Sequence, residues 1–186
     1  MFQIGETVVN VKGPSTAGDF DLQALRGRWV VLYLSPRANT APGPGEAGRL
    51  RAALPARELE TQRVIYFYPK DNTSACTMEA RDFTAAVPQF EALNTKVIGV
   101  SRDSVKTHEG FCTRQELGIE LVSDKSEELC TAFDVIKPKV MYGKPCRGIV
   151  RSTFLIDPQG RLAFEWRGVK VPGHVEAVLE KIRELS

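Results

Sequence analysis

The middle of the chain alternates apolar runs with amphipathic stretches. Residues 64–68, Val-Ile-Tyr-Phe-Tyr, form a continuous β-branched and aromatic run ending at Pro69, which predicts a buried strand. Between residues 83 and 93, apolar side chains recur at helical spacing, and Pro88 is expected to break or bend that helix. The run 97–101 predicts a second buried strand.

The second half of the chain continues this alternation. Asp103 or Ser104 can cap a helix running to about Leu117, where Gly118 is expected to stop it. Because strands alternate with helices and end in a hairpin, the pattern predicts an α/β sandwich with a mixed central sheet flanked by helices. The other predicted elements are the strand 121–123, the helix 126–133, the hairpin strands 152–156 and 162–166, and the terminal amphipathic helix 174–185.

One segment of the chain is repeated. Residues 31–63 match residues 64–96 at 11 of 33 positions, where roughly two are expected by chance for average composition. The match predicts a tandem duplication of a strand–loop–helix unit, and so one extra strand–helix insert in a single domain spanning 1–186. Convergence of two similar units is the alternative, and the shared Pro-x-x-Asn-Thr argues against it. The identical pairs are Val31 and Val64, Tyr33 and Tyr66, Pro36 and Pro69, Asn39 and Asn72, Thr40 and Thr73, Glu46 and Glu79, Ala47 and Ala80, Ala52 and Ala85, Ala53 and Ala86, Pro55 and Pro88, and Glu58 and Glu91.

Composition is that of a soluble globular domain. Hydrophobic residues make up 42% and charged residues 26%, and the net charge of +2 is too small to indicate a nucleic-acid or anionic-membrane partner. The beginning of the chain lacks a basic stretch followed by an apolar run, and no run approaches the ~18 apolar residues of a membrane helix. We therefore expect a cytoplasmic protein with no nucleic-acid and no membrane partner.

The chain has four cysteines, and one of them lies where thiol chemistry is favoured. No pair has Cys-x-x-Cys spacing, so neither a zinc site nor a thioredoxin-type dithiol is expected, and no metal or cofactor is predicted. Cys76 lies where a strand passes through a polar loop into a helix, and a helix N-terminus favours the nucleophilic thiolate. The upstream repeat has Gly43 at the matching position, among extra prolines and glycines, and is expected to be inactive.

The residues around Cys76 resemble a known motif. Pro69, Thr73 and Cys76 fit the Pro-x-x-x-Thr-x-x-Cys pattern of peroxiredoxins, and their context resembles the bacterioferritin comigratory protein (PrxQ) branch of that family. The likeness is weak over residues 1–34 and strong over 64–186. The stretches that carry it are 66–73, 99–104 and 151–157.

This resemblance implies a thioredoxin-like fold and a monomer that reduces hydrogen peroxide and organic hydroperoxides at the expense of thioredoxin or a similar dithiol. It implies that Cys76 is the peroxidatic cysteine and that Pro69 and Thr73 are its loop partners. Arg151 would be the active-site arginine and Glu79 would orient it. A permanent cation over the thiolate favours its charge and the charge that develops as the O–O bond breaks.

Each residue alone has a simpler interpretation. Thr73 can serve only as a helix cap, Glu79 as an ordinary first-turn carboxylate, and Arg151 as a solvated charge at a strand start. Their combination with a cysteine at the right spacing favours the catalytic interpretation. His108 and His174 are predicted to lie on exposed helix surfaces with no part in the site.

The resemblance also implies a second, resolving cysteine. Many members of the branch carry it five residues after the first, where this chain has Arg81, and others carry it on the following helix, where Cys112 lies. Cys112 is therefore implied as the resolver, with burial beside Phe111 as its simpler interpretation. Cys146, in a predicted loop, is the rival resolver, and Cys130 is predicted to be a core residue.

The disulfide between Cys76 and Cys112 carries a geometric expectation. Since a disulfide needs Cα atoms within about 7 Å, two cysteines on different helices are expected to lie farther apart when reduced, and local unfolding must precede bonding. Two other functions stay open. One is a one-cysteine peroxidase resolved by glutathione or another small thiol. The other is a non-catalytic thioredoxin-fold scaffold or holdase whose site the duplication disrupted.

Overall fold

The computed structural model describes residues 1–23, 62–141 and 144–185. Its helices are α1 (Ser74–Ala85), α2 (Val87–Ala92), α3 (Val105–Gln115), α4 (Glu128–Ala132) and α5 (His174–Leu185). Its strands are β1 (Lys12–Ser15), β2 (Gly18–Asp21), β3 (Gln62–Phe67), β4 (Thr95–Ser101), β5 (Glu120–Ser123), β6 (Ile136–Met141), β7 (Lys144–Ile149), β8 (Ser152–Ile156) and β9 (Leu162–Arg167). Across these ranges, none of the helices has the length and apolar character needed to cross a bilayer.

Seven of the strands form one mixed sheet, in the order β2-β1-β5-β4-β3-β8-β9. The three central strands β5, β4 and β3 are parallel, whereas β1 and β8 join their outer sides antiparallel. The predicted α/β sandwich with a mixed central sheet flanked by helices is thereby confirmed.

Strand β3 is buried on both of its faces. Ile65 and Phe67 belong to one hydrophobic core cluster, while Val64 and Tyr66 belong to the cluster on the opposite side of the sheet. Because successive strand side chains point to opposite faces, a strand covered on both sides reads as a continuous apolar run. This explains why the pattern at 64–68 predicted the strand so directly.

Helix boundaries show where local signals succeeded and where they failed. Ala86 separates α1 from α2, and Pro88 takes the second position of α2, as expected for a proline at a helix start. Ser104 is the N-cap of α3 and accepts a hydrogen bond from the Thr107 amide. The predicted stop at Gly118 is wrong, because the left-handed C-cap residue is Glu116, with φ 53°.

Two pairs of strands were not predicted. The hairpin β1–β2 carries few apolar residues, and the hairpin β6–β7 pairs only with itself. The loop predicted around Cys146 is wrong, since position 146 lies in β7 with its backbone opposite that of Lys139. Antiparallel pairing of edge segments satisfies backbone groups without an alternating apolar pattern, so no sequence signal marked them.

The upstream repeat 31–63 lies outside the described residues except for residues 62 and 63, and Gly43 is among those outside. The tandem duplication and the single-domain span 1–186 therefore stay predictions. The intact copy, residues 64–96, folds as β3, a polar loop, α1, α2 and the start of β4.

Candidate active site

Cys76 is the third residue of α1 and lies just beyond the end of β3. The Tyr68 amide still donates to the carbonyl of Val100, after which the chain leaves the sheet through a short polar loop. The first intrahelical hydrogen bond runs from the Thr77 amide to the Thr73 carbonyl. Cys76 therefore sits in the first turn, where helix amides lack intrahelical acceptors and favour negative charge. Cys76 is 2% exposed.

Arg151 reaches the sulfur from the start of β8, the antiparallel neighbour of β3. It immediately precedes β8, and the antiparallel pairing of β8 with β3 sets Ser152 opposite Phe67. This register brings Arg151 to the end of β3 from which the Cys76 loop leaves. The Arg151 Nη2 donates to the Cys76 Sγ over 3.3 Å.

Glu79 completes this arrangement from α1. It lies three residues after Cys76, is 1% exposed, and forms an ion pair through Oε2 with the Arg151 Nη1. Burial raises the pKa of Glu79 to about 7, although the cation of Arg151 acts to lower it. The second carboxyl oxygen, Oε1, is buried without a hydrogen-bond partner among the described residues. Arg151 therefore binds two acidic groups, and one of them titrates near neutral pH.

The two loop residues of the motif lie close by but contact other groups. Thr73 is the N-cap residue of α1 with an extended backbone, and its exposed hydroxyl donates to the Lys70 carbonyl over 3.1 Å. It makes no side-chain capping bond. Pro69 is half-buried at the end of β3. The roles of Pro69 and Thr73 as loop partners of Cys76 stay predictions.

Cys112 lies on a different helix, α3, and is half-buried against the same hydrophobic cluster that contains Cys76. Both are free thiols. Burial raises the pKa of Cys112 to about 11, and the charge of Asp71 adds to this. In this packing Cys112 is protonated at neutral pH and is a poor nucleophile.

The other two cysteines lie in other elements of the fold. Cys130 is fully buried in α4, where burial raises its pKa far above the ordinary range, so its predicted core role fits its surroundings. Cys146 lies on β7, and its side chain is outside the described part of the structure.

The prediction that His108 and His174 are surface residues is wrong. The Nε2 of His174 lies 2.7 Å from the Thr153 hydroxyl, and the ring packs edge-on against Trp166 and Phe83. Burial and the nearby charge of Arg151 lower the pKa of His174 to about 4, so the ring is neutral at neutral pH. His174 begins α5 on the face that carries its buried apolar residues, a signal visible in the sequence.

His108 belongs to a buried polar network that the sequence did not reveal. Its side chain is 0% exposed, and its Nδ1 lies 2.8 Å from the Asp71 Oδ2. The hydroxyl of Tyr68 donates to the Asp71 Oδ1 over 2.7 Å. His108 lies three residues before buried Phe111 on α3, so its helical spacing was the available signal.

Comparison with known proteins places this geometry in context. Residues 56–165 match the AhpC/TSA family. The "Peroxiredoxin Bcp" of Xanthomonas campestris pv. campestris is 56% identical over 120 residues, which make up 64% of this chain and 75% of that protein.

Solved structures of similar proteins superpose on this chain. The structure of the Xanthomonas campestris bacterioferritin comigratory protein, described in terms of its alkyl peroxide reduction activity, superposes with a TM-score of 0.67 at 52% identity, covering 68% of this chain and 80% of that one. A cysteine-to-serine variant of Xylella fastidiosa PrxQ superposes with a TM-score of 0.77 at 38% identity, covering 99% of this chain and 97% of that one.

Proposed function

Because this chain belongs to the AhpC/TSA family, in its Bcp/PrxQ peroxiredoxin branch, and is a thiol peroxidase, we propose that Cys76 is its peroxidatic cysteine and Cys112 its resolving cysteine. The observation that carries this proposal is the 3.3 Å hydrogen bond from Arg151 to the sulfur of a cysteine in the first turn of a helix. A fixed cation and helix amides together favour a thiolate at this position.

The first step is attack on the hydroperoxide. The Cys76 thiolate attacks the terminal peroxide oxygen, the O–O bond breaks, and Cys76 becomes a sulfenic acid while the departing alkoxide or hydroxide takes a proton to leave as alcohol or water. Arg151 stays positioned to stabilise the charge that shifts onto the leaving oxygen, and Glu79 holds the guanidinium in place.

The second half of the cycle needs Cys112. Its thiol condenses with the Cys76 sulfenic acid, forming the S–S bond and releasing water. An external dithiol, thioredoxin or a protein like it, then reduces the disulfide by exchange and becomes a disulfide itself. We place this cycle in the cytoplasm, where reducing surroundings keep the external dithiol reduced, and propose that the enzyme works as a monomer.

A stopped-flow assay tests these roles. Hydroperoxide consumption with thioredoxin and its reductase is measured for wild type, Cys76→Ser, Cys112→Ser and Cys130→Ser, the last as the matched control. We expect no turnover for Cys76→Ser, single turnover only for Cys112→Ser, and near wild-type turnover for Cys130→Ser. Mass spectrometry of the oxidised protein should show a Cys76–Cys112 bridge.

Three results would each contradict part of the proposal. Full turnover of Cys112→Ser with glutathione alone would indicate the one-cysteine mechanism. A bridge between Cys76 and Cys146 would make Cys146 the resolver. Wild-type protein that consumes no peroxide would point to a scaffold or holdase role.

A further inference from the structure

Tyr68, Asp71 and His108 form a buried polar network between the Cys76 loop and α3, here named the latch. The Asp71 carboxylate accepts from the Tyr68 hydroxyl at Oδ1 over 2.7 Å and lies 2.8 Å from the His108 Nδ1 at Oδ2. Since a carboxylate can only accept, Nδ1 carries the hydrogen. The side chains of Asp71 and His108 are 1% and 0% exposed, so this pair is shielded from water.

The latch joins the segment that leads to Cys76 with the segment that carries Cys112. Tyr68 and Asp71 lie before α1, whereas His108 lies within α3. A second contact, at the surface, runs from the Arg114 Nη2 to the Asn72 Oδ1 over 3.0 Å. The loop is thus held to α3 at two points along the helix.

Cys112 lies on the face of α3 that the latch fixes. It follows His108 by four residues, and residues four apart lie on one helix face. The Asp71 charge that pairs with His108 also contributes to the raised pKa of the Cys112 thiol. Movement of this face away from Asp71 would therefore release His108 and Cys112 together and relieve the thiol of the neighbouring charge.

The latch holds α3 against the loop, but one of its polar atoms lacks a hydrogen-bond partner among the described residues. The Nε2 of His108 is buried without a hydrogen-bond partner among the described residues, which is costly for a polar atom. When α3 separates from the loop, water can satisfy both Nε2 and the Asp71 carboxylate. Within the described part of the chain, Asp71 therefore favours docking, whereas the Nε2 without a partner there opposes it.

We propose that Tyr68, Asp71 and His108 are positioning residues that hold α3 docked while Cys76 reacts with peroxide, and that their release sets the rate of disulfide formation. This inference rests on the proposed role of Cys112. None of the three latch residues is proposed to contact the peroxide. A weakened latch should speed the condensation of Cys112 with the Cys76 sulfenic acid, which forms the disulfide and releases water, and should leave the attack on peroxide almost unchanged.

Two tyrosines provide a matched pair of variants. Tyr68→Phe removes one latch hydrogen bond. Tyr66→Phe removes a buried hydroxyl that has no hydrogen-bond partner in the described part of the chain, from a ring stacked on that of Tyr68. Asp71→Asn weakens the pairing with His108, and Glu109→Gln is its charge control on the exposed surface of α3.

The experiment follows reduced enzyme mixed with one equivalent of hydrogen peroxide, quenched by alkylation and analysed by mass spectrometry. For Tyr68→Phe and Asp71→Asn, we expect disulfide formation to accelerate about tenfold, the factor that corresponds to one buried hydrogen bond. Oxidation of Cys76 to the sulfenic acid should stay within about threefold of wild type. The two control variants should leave both rates unchanged.

A second readout separates the latch from a merely structural role. Faster resolution leaves less time for a second peroxide to oxidise the sulfenic acid to sulfinic acid, so the peroxide concentration that inactivates half of the enzyme should rise by the same factor. Hydrogen exchange should show earlier exchange in residues 105–115 of Tyr68→Phe and unchanged exchange in β3 and β4.

The possible failures are distinguishable. Wild-type protein lacking a Cys76–Cys112 disulfide overturns the proposed function. A normal disulfide whose rate of formation is the same in Tyr68→Phe and Tyr66→Phe overturns the latch alone. Equal loss of protection throughout the sheet in Tyr68→Phe would also overturn it, because the network would then be a general support of the fold.

Discussion

Arg151 contacts two acidic groups at once, and this shared cation couples their charges. It donates to the Cys76 sulfur and pairs with the buried Glu79 carboxylate. Glu79 gains a proton near pH 7 because burial outweighs the attraction of the guanidinium. At lower pH, the neutral Glu79 leaves the positive charge of Arg151 to the Cys76 sulfur alone.

The buried carboxyl makes stability depend on pH in an uncommon direction. The pKa of Glu79 is about 7 in the folded chain against an ordinary value of 4.5, so the folded state holds the extra proton between those values. The stability contributed by this group is full below pH 4.5 and is lost as pH rises through about 7.

Glu79→Gln should remove this loss. Relative to wild type, its free energy of unfolding should rise by up to about 3 kcal/mol between pH 4.5 and pH 8. Urea unfolding of the reduced proteins across this range measures the difference. Glu91→Gln removes an exposed carboxylate from α2 and should track wild type. A constant gap between Glu79→Gln and wild type at every pH would contradict the prediction.

Cys76, Glu79 and Arg151 could be named before the structure was known, whereas the buried histidines could not. Cys76 was predicted from its position between a strand and a helix and from the Pro-x-x-x-Thr-x-x-Cys motif, and Glu79 and Arg151 were implied by the resemblance to peroxiredoxins. His108 and His174 were predicted at the surface, because a lone histidine on a helix carries no mark of what packs against it. His108 contacts Asp71 and His174 contacts Thr153, and both partners lie far from the histidines in sequence.

Among the elements, helix α3 carries Cys112, the proposed resolving cysteine. The C-cap residue of the helix is Glu116, whose backbone adopts the left-handed conformation. The Glu116 amide donates to the Cys112 carbonyl. A side chain with a Cβ is strained in that conformation, and glycine is not.

Glu116→Gly should therefore stabilise the protein by about 0.5–1 kcal/mol. Glu109→Gly, at an exposed position inside the same helix, should destabilise it by about 1 kcal/mol. Thermal and urea unfolding of the two variants provide the measurement. If both variants lose stability equally, strain at position 116 is not a feature of the folded chain.

Predictability also varied from element to element. The central strands β3 and β4 were clear because burial on two faces requires a continuous apolar run. The hairpins β1–β2 and β6–β7 gave no such signal, since each is held mainly by its own backbone pairing. The end of α3 was misplaced because glycine is the usual left-handed cap and this helix uses glutamate.

For the whole molecule, the fold class followed from the order of strands and helices, but the antiparallel neighbour of β3 did not. Local alternation predicts that β3 lies beside β4, the next strand along the chain. It does not predict that the antiparallel β8 closes the other side of β3. That pairing, in the register Phe67 opposite Ser152, is what brings Arg151 to Cys76.

This register determines when, during synthesis of the chain, the Cys76 thiol can gain its neighbouring cation. Arg151 follows Cys76 by 75 residues, so at usual translation speeds it leaves the ribosome roughly 4–15 s later. During that interval the thiol lacks its cation, and β3 lacks the strand that seals its second edge. Before Arg151 is added, the Cys76 thiol of the nascent chain should therefore react with oxidants no faster than an ordinary cysteine. Ribosome-stalled chains ending at residue 140 should react with hydrogen peroxide at least ~10²-fold more slowly than released protein that carries residues 1–186. The reactivity of Cys76, and its vulnerability to over-oxidation, would then arise only after Arg151 has been added.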